Sequence, residues 1–333
     1  MKNYLIIGLG SMGKRRIRCL KALGIDSQNI YGIDKREDRR IESKTKYGIN
    51  VAEEESDIDF NGINAVIVSL PPDKHYEGVE IAFRYKKPVF VEASVVLADA
   101  KKIENNNIDH IFVAPSCTFL FHPVLKEVKK IVASKMYGKV CNFSYHSGQY
   151  LLDWHPWEDV NAFYVSNRMT GGAREIVPFE LTWIVDVMGY PKEVKGYFKK
   201  TRDLGCDIED SYACLLNYED MVGNLMVDVI GRNALRNLVI NFEEAQLQWR
   251  CDADSLEVYE AQTGTWRSIV LENMIHEEGY SKTINENMYI DEINAFLQGI
   301  QNRQCYPNTI EKDIHVLELL EQIENSDGGF YRK

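Results

Sequence analysis

Nothing in the 333 residues pairs the cysteines. There are seven (Cys19, Cys117, Cys141, Cys206, Cys214, Cys251, Cys305), an odd number, widely scattered, with no CxxC and no Cys/His pair at zinc spacing. That excludes a disulfide framework and a structural zinc site, and it reads as reduced cytosolic thiols. An excess of positive charge is also missing: 39 Lys+Arg face 50 Asp+Glu, for a net charge of −11. Nucleic-acid phosphates and anionic lipid are therefore poor partners. The cluster Lys35, Arg36, Arg39, Arg40 is only a local patch. The opening stretch MKNYLIIGLG lacks the h-region of a secretory signal, and no run approaches the ~18 consecutive apolar residues of a membrane span, so a cytoplasmic protein is expected. None of the seven histidines lies at HxH or HExxH spacing, and no metal is expected. There is no repeat with a period of about 20–50 residues and no low-complexity segment.

What is present is an ordinary globular composition, 45% hydrophobic and 27% charged, sized for one large or two ordinary domains. The first ~115 residues alternate short apolar runs with amphipathic stretches. YLIIGLG, NIYGID, AVIVSL (65–70), PVFVEA and HIFVAPS read as strands. The helices between them include Ser11 to about Leu23, HYEGVEIAFRY and VLADAKKIENNN. Continuous apolar strands of this kind belong to a parallel sheet with both faces covered. After about Cys117 the pattern changes. HPVLKEVKKIVAS is amphipathic, and a long helix is expected from about Gly172 to Met188. KVCNFSYHSGQY, YACLLNYED, GNLMVDVIG, NLVINFE, AQLQWRCD and SLEVYEA alternate as strands of an open, mainly antiparallel sheet. Two helical segments, NMYIDEINAFLQGI and TIEKDIHVLELLEQIEN, end the chain. The expected class is α/β: a Rossmann dinucleotide-binding domain (1–118), an α+β domain for substrate and oligomerisation (119–305), and a C-terminal helix (306–333) packing back on the first domain.

Gly8-Leu9-Gly10-Ser11-Met12-Gly13 is GxGxxG, and its context makes it specific. It follows a strand, opens a helix, and is followed by Asp34 at the end of the next strand. Gly8 permits the turn, Gly10 lets a pyrophosphate approach, and Gly13 allows close helix–strand packing. The helix start at Ser11–Gly13 offers N–H groups to phosphate. Asp34 should accept from the adenosine ribose hydroxyls and repel a 2′-phosphate, which favours NAD. Lys35 and Arg36 could instead grip that phosphate, which keeps NADP open. Ser69, Leu70 and Pro71 close a strand at the carboxyl edge where ligands bind. His75, at the next helix start, is either a cofactor contact or a local packing residue.

Four segments together resemble the Gfo/Idh/MocA family of sugar and inositol oxidoreductases: GLGSMGKRR, SLPPDKHYEGVEIAFRYKKPVFVEASV, HPVLKEVKKIVASKMYGKV and TGGAREIVPFELTWIVDVMG. The resemblance spans essentially the whole chain. It implies a Rossmann domain with a C-terminal α/β domain, an open sheet that often forms the oligomer interface (a homodimer or homotetramer), and a substrate held between the domains over the nicotinamide. It also exposes two departures. Where such proteins carry Glu-Lys-Pro, this chain has Glu92, Ala93 and Ser94. Aligning Gly171-Gly172 and Gly189 puts Phe179 and Glu180 around the family's helix histidine and Thr182 near a following aspartate. The usual catalytic pair is therefore not transferred, while Glu92 is still expected to line the nicotinamide pocket.

Oxidising a sugar hydroxyl needs a base for the O–H proton, and the reverse reaction needs an acid. The segment GQYLLDWHPWEDVNAFYVSNRMTGGAREIVPFE is dense in such groups and long enough to be functional. His155 is the first acid/base candidate because its intrinsic pKa lies near neutrality, the alternative being a loop residue stacked between Trp154 and Trp157. Asp153 would orient it or simply sit in a turn. Glu180, buried beside Pro178 and Phe179, would be a raised-pKa acid, or else pair structurally with Arg174 or Arg168. Arg174, with Glu175 at the same helix start, suits a phosphate or carboxylate on the substrate. Tyr150 and Tyr164 would donate to sugar hydroxyls, Arg168 would join the substrate contacts, and Trp154 and Trp157 would stack on a sugar or base, with packing the commoner fate of such rings. The expectation is an NAD(P)-dependent oxidoreductase acting on a sugar phosphate or nucleotide-linked sugar. Its rivals are a non-catalytic dinucleotide-binding sensor and an enzyme whose tightly bound NAD serves a net non-redox elimination or epimerisation.

Overall fold

The computed structural model describes residues 2–154, 159–251, 255–271 and 286–327, which fall into two compact units. The first comprises residues through Thr118 together with Asn287–His315. Its sheet is built from β1 (Asn3–Ile7), β2 (Ile30–Ile33), β3 (Asn50–Ala52), β4 (Ile63–Val68), β5 (Val89–Val91) and β6 (Val113–Pro115). All pairings are parallel and the order is β3-β2-β1-β4-β5-β6. Helices α1 (Ser11–Ala22), α2 (Glu37–Tyr47), α3 (His75–Arg84) and α4 (Leu97–Asn106) connect these strands, and α7 (Glu286–Gly299) contributes to the same unit from Asn287 onward. Leu5, Ile6, Ala65, Val66, Ile67, Val68, Val89 and Phe90 are wholly buried, because helices cover both faces of the parallel sheet. The strand order reverses between β1 and β4. Gly8 and Ser69 leave the carboxyl ends of those two strands, the place where doubly wound sheets bind ligands.

The second unit comprises Phe119–Glu286 and the chain from Val316. After α5 (Pro123–Ser134) come β7 (Val140–Tyr150), α6 (Ala173–Met188), β8 (Glu193–Lys199), β9 (Ser211–Asn217), β10 (Val222–Asp228), β11 (Ile230–Phe242), β12 (Ala245–Arg250), β13 (Ser255–Glu260) and β14 (Thr265–Val270). The last helix is α8 (Ile310–Ser326). The sheet runs β14-β13-β12-β11-β7-β10-β9-β8 and is antiparallel apart from the parallel pair β7–β10. Strict alternation in β8 and β9 buries one face only. α6 packs on β9 and β10, and on α5. α5 starts as its sequence dictates, with Pro123 in the first turn, and it stops at Lys135 in the left-handed conformation.

The division of the C-terminal region differs from the sequence expectation. The chain joins the first unit from Asn287 rather than 306, and from Val316 it belongs to the second. Glu292 on α7 explains the first difference. It is wholly buried, bonding Arg16 of α1, the Ser116 and Thr118 hydroxyls and the Cys117 amide. The seven cysteines are free thiols. Among the described residues no helix is long and apolar enough to cross a membrane, and no group of three His, Cys, Asp or Glu side chains converges as a metal site.

Candidate functional site

The first unit carries a nucleotide cradle in which Gly8 and Gly13 leave no room for a side chain and Gly10 keeps the turn open. Gly8 has φ +93°, and a Cβ there would lie 2.6 Å from the Ser69 carbonyl oxygen. A Cβ on Gly13 would fall 1.9 Å from the Gly8 carbonyl oxygen, so only hydrogen lets α1 pack on the turn. A Cβ on Gly10 would meet only the Arg39 guanidinium, at 3.5 Å, so the turn's backbone is open there to the approach of a pyrophosphate. Gly10 is the N-cap of α1, and no acidic residue occupies the first turn at Ser11–Gly13, so the helix presents an unopposed positive end. These features fit a dinucleotide pyrophosphate.

Asp34 closes the cradle. Its Oδ2 accepts the Leu9 amide at 2.8 Å and its Oδ1 the Arg36 amide at 2.8 Å, and Arg39 stands 3.6 Å away. Lys35 is exposed, and the Arg36 guanidinium is engaged by Asp38. The arginine beside both Asp34 and Gly10 is thus Arg39, which sequence reasoning treated only as part of a patch. Ser69, Leu70 and Pro71 follow β4 as expected, the Ser69 amide bonding the Ile7 carbonyl at 2.8 Å. His75 is only 1% exposed. Its Nε2 lies 3.0 Å from the Leu70 carbonyl, and burial lowers its pKa, so a neutral imidazole donates to that carbonyl. This contact ties the start of α3 to the Leu70 carbonyl just past the end of β4.

The Glu92 carboxylate is committed inward rather than to the pocket. Arg16 donates to it from Nε and from a terminal nitrogen, both at 2.7 Å, and the Ser69 hydroxyl adds a bond at 3.1 Å. Arg16 bonds Glu292 as well and stacks on Phe90. This buried Glu92–Arg16–Glu292 chain ties β5, α1 and α7 together. Ser94, two residues past Glu92, bonds the Val96 amide and so shapes the turn into α4.

In the second unit the expected site residues separate into engaged and unengaged groups. His155 and Trp157 lie outside the described residues. Asp153 is exposed in a short 3-10 turn, and Trp154 follows it, partly buried, with its indole N–H buried and without a hydrogen-bond partner among the described residues. Arg174 is not free to grip a substrate anion. It forms a buried pair with Glu324 of α8 (2.7 Å) and donates to the Met169 carbonyl, while Tyr212 adds a bond to the same carboxylate. Arg168 forks onto Glu209 through Nε and a terminal nitrogen. Glu180 is wholly buried, accepting from Tyr145 (3.0 Å), Trp183 (2.9 Å) and Arg236 (3.3 Å). Its ion-pair partner is thus Arg236 rather than Arg174 or Arg168.

Glu175 is different. The Tyr164 hydroxyl donates to its Oε1 at 2.8 Å, while its Oε2 is buried without a partner among the described residues. Burial raises this carboxyl to about 7, against the opposing bond from Tyr164. Glu175 and Phe179 are four residues apart and share a face of α6, whereas Glu180 turns toward Trp183 and the sheet. Phe179 packs against Phe119 at 4.6 Å, and Arg236 lies over that ring at 4.8 Å. Tyr150 ends β7, and two arginines meet its ring, Arg232 at 3.9 Å and Arg202 at 5.4 Å from the centroid.

Residues 2–106 match the oxidoreductase family with an NAD-binding Rossmann fold, Gfo/Idh/MocA. No curated protein sequence matches the chain. Solved structures share its fold from end to end. An oxidoreductase from Agrobacterium radiobacter in complex with NAD+, L-tartaric acid and magnesium is 14% identical, with a TM-score of 0.83 over 98% of this chain and 96% of that one. Levoglucosan dehydrogenase in complex with NADH is 16% identical, at 0.81 over 98% and 97%. An NAD-binding oxidoreductase from Klebsiella pneumoniae is 17% identical, at 0.80 over 98% and 97%. The match to the Gfo/Idh/MocA oxidoreductases thus covers the nucleotide-binding region, and the likeness to the solved structures extends the shared fold over the rest of the chain.

Proposed function

We propose that the protein is an NAD(P)-dependent oxidoreductase of a sugar derivative, with NAD preferred. The observation that carries this reading is the cradle of Gly8, Gly10 and Gly13 closed by the Asp34 carboxylate. Gly8, Gly10, Ser11, Met12, Gly13 and Asp34 would hold the cofactor, which when bound supplies the hydride acceptor or donor. Asp34 favours ribose hydroxyls over a 2′-phosphate, and Arg36 is already neutralised by Asp38. Levoglucosan dehydrogenase, an enzyme of similar fold, supports a sugar as the substrate class.

The proton carrier is assigned to Glu175 ahead of Glu180. A proton-transfer group needs an oxygen able to reach the substrate and a pKa near the working pH. Glu175 has an uncommitted oxygen and a carboxyl raised to about 7. Glu180 has both oxygens bonded inside the core. Tyr164 holds Glu175 in place and stabilises its ionised form once the proton has moved. His155 stays a second candidate on the same segment, with Asp153 beside it in sequence. The free thiols support a reducing, cytoplasmic location. The open face of the second sheet, with Tyr197, Leu215 and Val222 exposed, supports a homodimer or homotetramer built on that face.

The test is NADH formation or consumption at 340 nm across sugars, sugar phosphates and nucleotide-linked sugars. Turnover with at least one class is expected, with loss of kcat in Glu175→Gln. Tight NAD binding without turnover of any class would favour the second reading, a dinucleotide-dependent regulator. That reading draws on Ala93, and on Phe179 packing against Phe119 where the family resemblance puts a histidine.

A further inference from the structure

The chain is acidic, and most of its described arginines find carboxylates. Arg16, Arg36, Arg39, Arg40, Arg84, Arg168, Arg174, Arg236 and Arg267 each reach an Asp or Glu. Arg202 and Arg232 reach none among the described residues, yet both guanidinium groups meet the same ring, Tyr150. Their charges are no further apart than the sum of their two distances to its centroid. A single arginine over a tyrosine is ordinary stacking. Two on one ring, with no anion between them, repel each other unless a ligand supplies the negative charge.

The surroundings hold this arrangement in place without neutralising it. The Arg202 backbone is pinned, its amide donating to Asp210 Oδ2 at 2.7 Å, and the remaining bonds of that wholly buried carboxylate go to Thr201 and Ser211. Arg232 sits in an irregularity of β11. Ile230 pairs with Tyr150 and the next paired residue, Leu235, with Gly148, so residues 231–234 bulge from the ladder beside a single residue of β7. Bulges of this kind re-aim side chains next to functional sites. The neighbouring carboxylate, Asp228, is committed to His146 and to the amides of Ile230 and Gly231. The Tyr150 ring is buried against the two cations, and no described residue bonds its hydroxyl.

We propose that Arg202, Arg232 and the Tyr150 hydroxyl form a phosphoryl-binding site that receives the anionic end of the substrate. This names the substrate class, a phosphorylated or nucleotide-linked sugar, and it rests on the oxidoreductase reading above. Paired guanidinium groups match phosphoryl oxygens in geometry and charge, and the phenol adds one neutral donor.

The test is a binding titration, so a protein inactive on every sugar still answers it. With NAD present at saturation to occupy the Gly-rich turn, inorganic phosphate is titrated into wild type, Arg202→Gln, Arg232→Gln and Tyr150→Phe by calorimetry or thermal shift. Each arginine substitution should weaken phosphate by about tenfold or more, the loss expected for a charge-assisted bond, and Tyr150→Phe by less. Both arginines are exposed, so their variants should fold, and wild-type circular dichroism checks that they do. A hexose monophosphate and a UDP-sugar are then compared, and the tighter one identifies the source of the phosphoryl group. Absence of phosphate binding to wild type, or equal binding by the arginine variants, would overturn the proposal whatever the outcome of the 340 nm assay.

Discussion

Replacing Glu175 by glutamine should stabilise the second unit at alkaline pH and leave it nearly unchanged at pH 4.5. Burial raises this carboxyl from 4.5 to about 7. A raised carboxyl binds its proton more tightly in the folded state. Its favourable contribution is therefore complete below pH 4.5, declines as pH rises, and is lost once pH passes about 7. At about 1.4 kcal/mol per pH unit, the gap between unfolded and folded values corresponds to about 3 kcal/mol. Glutamine keeps an oxygen to accept from Tyr164 and has no charge to bury, so its stability should not follow this slope. All five tryptophans fall within the second unit, so urea denaturation followed by tryptophan fluorescence reports on it. Relative to wild type, the variant should gain about 3 kcal/mol between pH 4.5 and pH 8.5. A difference that stays flat with pH would refute the raised carboxyl, and the assignment of Glu175 as proton carrier would fall with it. If the carboxyl is raised, the acidic limb of kcat/KM should also vanish in Glu175→Gln, while Tyr164→Phe should move that limb upward by removing the bond that favours the charged form.

Arg16→Met should cost about 3–5 kcal/mol, because it leaves Glu92 and Glu292 buried without a counter-charge; thermal melting measures it, and Arg16→Lys should restore only part. Gly13→Ala should abolish saturable NADH binding in a fluorescence titration, since the new Cβ falls 1.9 Å from the Gly8 carbonyl oxygen and pushes α1 off the turn. Asp34→Ala should weaken NAD by about tenfold and improve NADP relative to NAD, as measured by competition between the two.

The cradle could be read from the sequence because everything it needs is local. Gly8, Gly10, Gly13 and Asp34 lie within one strand–helix–strand unit, and spacing alone puts them together. The second sheet was legible for a similar reason, since alternation in segments such as YACLLNY marks a strand covered on one side. The ion pairs were not legible, because partner choice depends on tertiary contact. Arg174 finds Glu324 across 150 residues, and Arg16 finds Glu292 across 276. From sequence, Arg174 at a helix start looks like an anion-binding residue; only the fold brings a carboxylate from α8 to it. The parallel pairing of β7 with β10 was hidden likewise, since alternation does not record strand direction. Arg16 left a faint trace, since with Arg15 it is a charged residue among the buried Gly13, Ile17, Cys19 and Leu20 of α1.

Helix geometry separates the residues of α6 that stand near the position the family resemblance gives a histidine. The residues nearest the expected histidine are Phe179 and Glu180, and they point different ways. Glu180 is drawn into the core by Tyr145, Trp183 and Arg236, so the polar residue that looks like a replacement has become an internal brace. Phe179 keeps the other face and makes it aromatic against Phe119. One turn earlier on that face stands Glu175, with an uncommitted oxygen and a carboxyl raised to about 7. A half-satisfied carboxyl in that buried position carries a cost that glutamine or leucine there would remove. If Glu175 is the proton carrier proposed above, that group stands one helical turn from the position the family resemblance gives the histidine.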